Sequence, residues 1–144
     1  MANKKILIVD DDPDVRLGLH VRLKANHYDT FFAGDAFSSI VEARTHQPDL
    51  IILDLGLPAG DGFVVMERLK LLPTLAVIPI IVVSARDVRA NKERAIQAGA
   101  KAFLQKPAND AELLAVIRHA LEEGSEREEP VLYNLSNGNP RSVS

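Results

Sequence analysis

The chain has 144 residues, 47% apolar, 26% charged and 5% aromatic, with no Trp, no Cys and a net charge of −3. That is the profile of one globular domain able to bury an ordinary core, and it excludes collagen-like, wholly disordered and membrane-embedded classes. The scarcity of aromatics, the net negative charge and the absence of thiols argue against a base-stacking platform, a nucleic-acid footprint, and disulfide, thiolate-metal or Cys-nucleophile chemistry.

At the N-terminus, basic Lys4 and Lys5 precede an apolar run at 6–9 that ends in three acids, so it is no secretory segment. The longest apolar stretches, such as 50–53 and 78–83, are too short to span a bilayer. The expected compartment is the cytoplasm, with no membrane partner. Run 6–9 is the first of five short apolar runs, followed by 28–33, 50–53, 80–83 and 102–104. Each is rich in Ile, Val, Leu or Phe, as strands buried on both faces should be.

Helical spacing fills the intervals. Val15, Leu19 and Leu23 recur every fourth residue after Asp12 and Pro13, which read as N-cap and first helical residue. Asp61-Gly62 is turn and helix-start chemistry, and Pro58 shapes the loop before it. A helix beginning near Val88 should stop at Gly99. Asn109 and Glu112 resemble a capping box opening the last helix, whose stripe is Leu113, Val116, Ile117, Ala120 and Leu121.

Five β-α alternations predict an α/β fold: a flavodoxin-like, doubly wound, five-stranded parallel sheet of order 2-1-3-4-5 with five helices. The ligand crevice of such a sheet lies between strands 1 and 3, at their C-terminal ends. Composition changes after Leu121: residues 122–129 hold five Glu and one Arg, and 136–144 are mostly Ser, Asn, Gly and Pro. The expected division is a body at 1–123 and an acidic and polar tail or linker at 124–144. Val131, Leu132, Tyr133 and Leu135 leave open a docked hook, or the opening of a further domain.

Polar residues mark the strand ends. Asp10, Asp11 and Asp12 follow strand 1, Asp54 follows strand 3, Ser84 ends strand 4, and Lys106-Pro107 follows strand 5. In a parallel sheet these lie on one edge. Capping explains any single one, but not two neighbouring strands that both present carboxylates at the switch point. Such a cluster repels itself unless a cation neutralises it, and hard oxygen ligands without His or Cys suit Mg²⁺ better than Zn²⁺. Phosphate oxygens can enter the open positions of that metal, Ser84 and Lys106 can hold other oxygens, and an Asp can act as nucleophile to form an acyl phosphate. Lys106, on a loop at the crevice rim, reads as removable without cost to the fold.

Four segments then carry a resemblance: I-L-I-V-D-D-D-P (6–13), L-D-L-G-L-P-A-G-D-G-F (53–63), I-I-V-V-S-A (80–85) and G-A-K-A-F-L-Q-K-P (99–107). In order and spacing, from about residue 4 to 123, the chain resembles the receiver domain of two-component response regulators. The resemblance implies a phosphorelay switch in which Asp54 accepts a phosphoryl group from a histidine kinase or a histidine phosphotransfer protein. It implies that Asp10 and Asp11, with Asp54 and the Gly56 carbonyl, serve Mg²⁺. It further implies that Ser84 and Lys106 bind phosphoryl oxygens, that Lys106–Pro107 is cis, and that Phe103 is the switch aromatic. The output would be an altered contact with an effector or a second copy, through the face of the fourth helix (88–98), fifth strand (101–104) and fifth helix (110–121). In that scheme Ser84 is pulled inward and Phe103 turns into the space it leaves.

Three departures stand out. Gly56 replaces a larger side chain two residues after the acceptor, leaving that flank open, and Arg86 places a long cation on the other; both positions tune phosphoryl lifetime in the family. Ala108 stands where Phe is frequent, which predicts a missing packing contact. No room for a DNA-binding output domain follows residue 124, so the expectation is a stand-alone receiver or a fragment without direct nucleic-acid binding. The chain would be no enzyme beyond self-catalysed phosphorylation and dephosphorylation.

Other classes compete. A haloacid-dehalogenase-type phosphatase would use Asp10 as nucleophile with Asp12, but it lacks an acidic pair after Lys106, and Asp14 replaces its Thr or Val. FMN binding fails because three Asp would repel the phosphate, and no nucleotide P-loop motif occurs. A receiver-like adaptor that is never phosphorylated is the remaining alternative. His20, His27, His46 and His119 read as surface or capping groups.

Overall fold

The computed structural model describes residues 2–58 and 61–125, with the backbone of Tyr133–Asn134 and Asn139–Pro140. The strands are β1 (Lys5–Val9), β2 (Asp29–Ala33), β3 (Leu50–Leu53), β4 (Ile80–Ser84) and β5 (Ala102–Gln105). All pair in parallel, in the order β2-β1-β3-β4-β5. The helices are α1 (Pro13–Ala25), α2 (Ala36–His46), α3 (Gly62–Lys70), α4 (Pro73–Ala76), α5 (Val88–Gln97) and α6 (Asp110–Ser125).

Because alternate strand residues face opposite ways, each apolar run feeds two cores. Ile6, Ile8, Leu50, Ile52, Ile81, Val83 and Leu104 pack with Leu19 and Leu23 of α1 and Leu113, Ile117 and Ala120 of α6. Leu7, Val9, Ile51, Leu53, Ile80, Val82 and Phe103 point the other way, onto residues of α2, α3, α4 and α5. This explains why the central strands read as unbroken apolar runs rather than alternating ones.

The expected architecture is present, with one addition. α4 is a single turn started by Pro73 at its N-terminus, and it seats Leu75 in the core at 1% exposure. Four residues are too few to show a helical stripe, so the five-helix expectation passed over it.

The caps expected at Asp12, Asp61 and Asn109 are made: Asp12 accepts from the Asp14 N–H, Asp61 from Phe63 and Val64, and Asn109 from Glu112. Asp35 caps α2, and the Ser38 backbone N–H holds its carboxyl below the usual range. Gly99, at φ +112°, ends α5. α6 runs past the expected boundary at 123. Most of the proposed tail, including Val131, Leu132 and Leu135, lies outside the described residues; of the tail residues that are described, Tyr133–Asn134 and Asn139–Pro140 pair as two antiparallel strands. Among the described residues no helix is long and apolar enough to cross a membrane.

The start of α3 is pressed against the end of β3. A Cβ on Gly62 would stand 2.6 Å from the Asp54 carbonyl oxygen and 2.8 Å from Leu55 Cα, both rigid backbone. A Cβ on Gly56 would stand 3.8 Å from either Asp54 carboxylate oxygen, an ordinary contact. Gly62→Ala should therefore destabilise the fold by about 1–3 kcal/mol through overpacking. Gly56→Ala should stay within about 0.5 kcal/mol of the parent. Urea unfolding measures both, and equal midpoints for the two variants would contradict this reading.

Candidate functional site

The sheet ladder carries past the strands and fixes the residues that follow them. Val9 lies opposite Leu53, and the Asp54 N–H donates to the Val9 carbonyl at 2.9 Å. The Asp10 N–H donates to Ala33 at 3.0 Å, and the Lys106 N–H to Ser84 at 2.9 Å. The ends of β1, β3, β4 and β5 thus deliver Asp10, Asp54, Ser84 and Lys106 to one edge.

Burial singles out the same residues. Among the described residues the buried polar side chains are Asp10, Ser39, Asp54 and Ser84. Ser39 is accounted for by its 2.7 Å bond to the Ala36 carbonyl inside α2. The other three all stand at the C-terminal edge of the sheet.

Two buried carboxylates on adjacent strands need a counter-charge, and Lys106 supplies it. Its Nζ donates to Asp10 Oδ2 at 2.7 Å and to Asp54 Oδ2 at 3.1 Å. The remaining oxygens are also used: Asp10 Oδ1 accepts the Asp12 N–H at 2.9 Å, and Asp54 Oδ1 the Gly56 N–H at 3.1 Å. Burial works against the charge of the Lys106 ammonium, but bonding and attraction from Asp10 and Asp54 outweigh it and hold its pKa above the ordinary lysine value. Lys106 is therefore paired with two carboxylates as well as standing at the crevice. It ties the segment after β5 to the ends of β1 and β3.

Asp11 is exposed, yet carboxylate oxygens of Asp10, Asp11 and Asp54 come within 4.8 Å of one another. This all-oxygen set fits a hard divalent cation, and no His or Cys belongs to it. Asp12, as the α1 cap, stands outside it. His20 bonds Thr30 Oγ1 at 2.6 Å, and His46 stacks on Phe31.

The flanks are as follows. Gly56 leaves Asp54 uncovered by any side chain of its own. Ser84 Oγ accepts the Arg86 backbone N–H at 3.3 Å, while the Arg86 guanidinium lies 3.4 Å from Asp61 Oδ2. Lys106–Pro107 is cis. Ala108 lines a cavity of about 310 Å³ together with apolar Val15, Leu19, Val83, Pro107 and Leu113 and charged Asp14, Arg22, Lys106 and Asp110. Phe103 is only 8% exposed and packs with the α5 side of the core.

Three contacts escaped the sequence reading. Arg16 donates to the Asp10 carbonyl at 2.7 Å, Arg86 pairs with Asp61, and Arg94 lies over the Phe63 ring at 3.7 Å. Only Arg16, one turn into α1 behind the acidic triplet, carried a local signal.

Residues 6–118 match the response regulator receiver domain family, and the chain belongs to it. Over 116 residues it is 41% identical to the KDP operon transcriptional regulatory protein KdpE of Escherichia coli K12, covering 81% of this chain and 50% of that protein. The chain thus spans about half the length of that relative. Among solved structures, a CheY-like receiver domain protein from Methanospirillum hungatei is 28% identical, with a TM-score of 0.79 over 87% of this chain and 98% of that one. The receiver domain of the sensor histidine kinase PA1611 from Pseudomonas aeruginosa has a magnesium ion coordinated in its active-site cleft. It is 26% identical, with a TM-score of 0.77 over 84% of this chain and 99% of that one.

In metal-free buffer, Lys106→Met leaves two buried carboxylates without their cation and should cost about 1–3 kcal/mol. A lysine whose folded pKa is raised contributes its stability in full below the unfolded value, about 10.4, and loses it as pH rises through the higher folded value. The gap between parent and variant should accordingly hold through neutral pH and close only in strong alkali. Urea unfolding across pH with a chelator present checks both the size and the sign.

Proposed function

We infer that this chain is a phosphoacceptor switch of a two-component system, working in the cytoplasm, with residues 1–123 as its receiver domain. The observation that carries this reading is the buried Asp10–Lys106–Asp54 cluster at the switch point of the sheet. Asp54 is the nucleophile: its carboxylate attacks the phosphorus of a phosphohistidine on a sensor kinase or phosphotransfer protein, the P–N bond breaks, and an acyl phosphate forms. Asp10, Asp11, Asp54 and the Gly56 carbonyl would hold Mg²⁺, which supplies positive charge to the phosphoryl oxygens when bound. The magnesium in the PA1611 cleft supports that assignment.

Lys106 already stands against Asp54, so it is placed to neutralise a phosphoryl oxygen as charge builds there. Ser84 is buried beside the β3 end, its Oγ accepts a long bond from the Arg86 amide, and its O–H is available to a phosphoryl oxygen. Movement of Ser84 draws on the turn into α5, and the signal leaves through α5, β5 and α6 to an effector or a second copy. Phe103 takes part as a packed ring whose surroundings loosen or tighten, since it starts inside. The phosphatase alternative needs Asp12 free for proton transfer, whereas its side chain caps α1.

The test is incubation with a small acyl phosphate and Mg²⁺, followed by intact mass. One phosphoryl group should be gained, and none when Mg²⁺ is omitted or in Asp54→Asn. A gain that survives in Asp54→Asn but is lost in Asp10→Asn would move the nucleophile to Asp10 and reinstate the phosphatase reading.

Ser84→Ala should still be phosphorylated but should respond weakly over α5, β5 and α6. Amide-exchange mapping before and after phosphorylation reads this directly. Changes confined to α1 and α2 in the parent would remove the assigned output face.

A further inference from the structure

Arg16 holds both ends of the acidic triplet. Its backbone N–H closes the first turn of α1 on the Asp12 carbonyl at 3.0 Å, and its guanidinium reaches back to the Asp10 carbonyl at 2.7 Å. The ladder between β1 and β2 ends with the Asp10 N–H on Ala33, because β2 stops there and Asp35 already caps α2. The Asp10 carbonyl, next along the chain, is met by the arginine instead. Gly34 makes the room for it. A Cβ on Gly34 would stand 3.2 Å from Arg16 Nη1, closer than side chains ordinarily sit, and 4.0 Å from Asp11 Cα. Asp11 thus lies between two anchored neighbours, with its own side chain exposed.

We propose that Arg16 is a positioning residue for the cation site, holding the turn that carries Asp11 so that its carboxylate faces Asp10 and Asp54. The inference rests on the Mg²⁺ assignment above and deepens it. Asp10 and Asp54 are buried at the strand ends, where the ladder and Lys106 fix them. Asp11 has left the sheet, so the direction of its side chain is set by the turn. Within that turn the Asp12 N–H bonds Asp10 Oδ1, an oxygen that a cation would also draw on. The hold of Arg16 does not compete with a cation in that way, because it falls on the Asp10 carbonyl and on no carboxylate oxygen.

The sign of the effect separates this role from simple charge. As a cation near the site, Arg16 repels Mg²⁺, and removing a repulsion tightens binding. As a positioning residue it pre-arranges a ligand. Its loss then leaves the turn to be ordered by the incoming ion, which weakens binding.

The test is titration of Mg²⁺ into the whole chain, followed by NMR amide shifts. It compares the parent with Arg16→Ala, Arg16→Lys, Asp11→Asn and the double variant of Arg16→Ala with Asp11→Asn. Arg16→Ala should bind Mg²⁺ about tenfold more weakly, the lower end of what outer partners of metal ligands command. One N–H makes the contact, so Arg16→Lys, with a donor of nearly the same reach, should recover most of the affinity. With Asp11 already Asn, Arg16→Ala should change the affinity by less than about twofold, as coupled residues do. An Arg16→Ala affinity equal to or tighter than that of the parent overturns the proposal. So does a loss of undiminished size in the Asp11→Asn background, since Arg16 would then not act through the Asp11 turn. A parent that binds no Mg²⁺ in the millimolar range fails the metal assignment itself, and this inference with it.

Discussion

The site is organised by one electrostatic necessity. Parallel pairing of β1 and β3 brings Asp10 and Asp54 to the same end of the sheet, and the bond from the Asp54 amide to the Val9 carbonyl keeps them there. Both are almost fully buried, so neither can shed its charge into water. The counter-charge comes from β5, with β4 lying between it and β3, and this distance calls for a long, flexible cation. Lysine meets that need as a compact charge able to serve two carboxylates at once. The arrangement of the outer strands is thereby tied to the chemistry at the centre.

The fold was legible because its signals are local or periodic. The five apolar runs coincide with the strands to within a residue or so, most cleanly in central β3 and β4, where burial on both faces leaves no polar position to blur the run. Asp12, Asp61 and Asn109 were readable as caps because a cap bonds within three residues of itself. The buried polar set was legible for a different reason: strand ends in a parallel sheet share an edge, so topology alone gathers Asp10, Asp54, Ser84 and Lys106. What escaped was reach. Nothing in the sequence ties Arg86 to Asp61 or Arg94 to Phe63, and α4 is too short to carry a period. Phe103 pairs with Val82 across the sheet and shares a core cluster with Ala95, neighbours that residue identity does not reveal.

The contacts around the site divide by strength. Below Asp54 lie the ladder and two apolar cores, where truncating one large side chain costs about 2–5 kcal/mol. Above it, the loops are joined by the Arg86–Asp61 pair, and the helices that follow them, α5 and α3, by Arg94 over Phe63. A half-exposed ion pair contributes about 0–1 kcal/mol, and an exposed cation–π contact about 0.5–1. These contacts position the loops without committing the fold to that position.

That division is what a reversible switch requires. A ligand or a modification shifts an equilibrium only by its differential affinity for the two arrangements, so the arrangements must lie within a few kcal/mol of each other. If the loops bordering Asp54 were held as firmly as the strands, a new charge there would be absorbed without movement. Held by one ion pair of that strength, loops can shift when the balance of anions at an edge of the sheet changes. Because Arg86 bonds Ser84 through its backbone and Asp61 through its side chain, a change at either one alters what holds the other, and the start of α5 lies on the path between them.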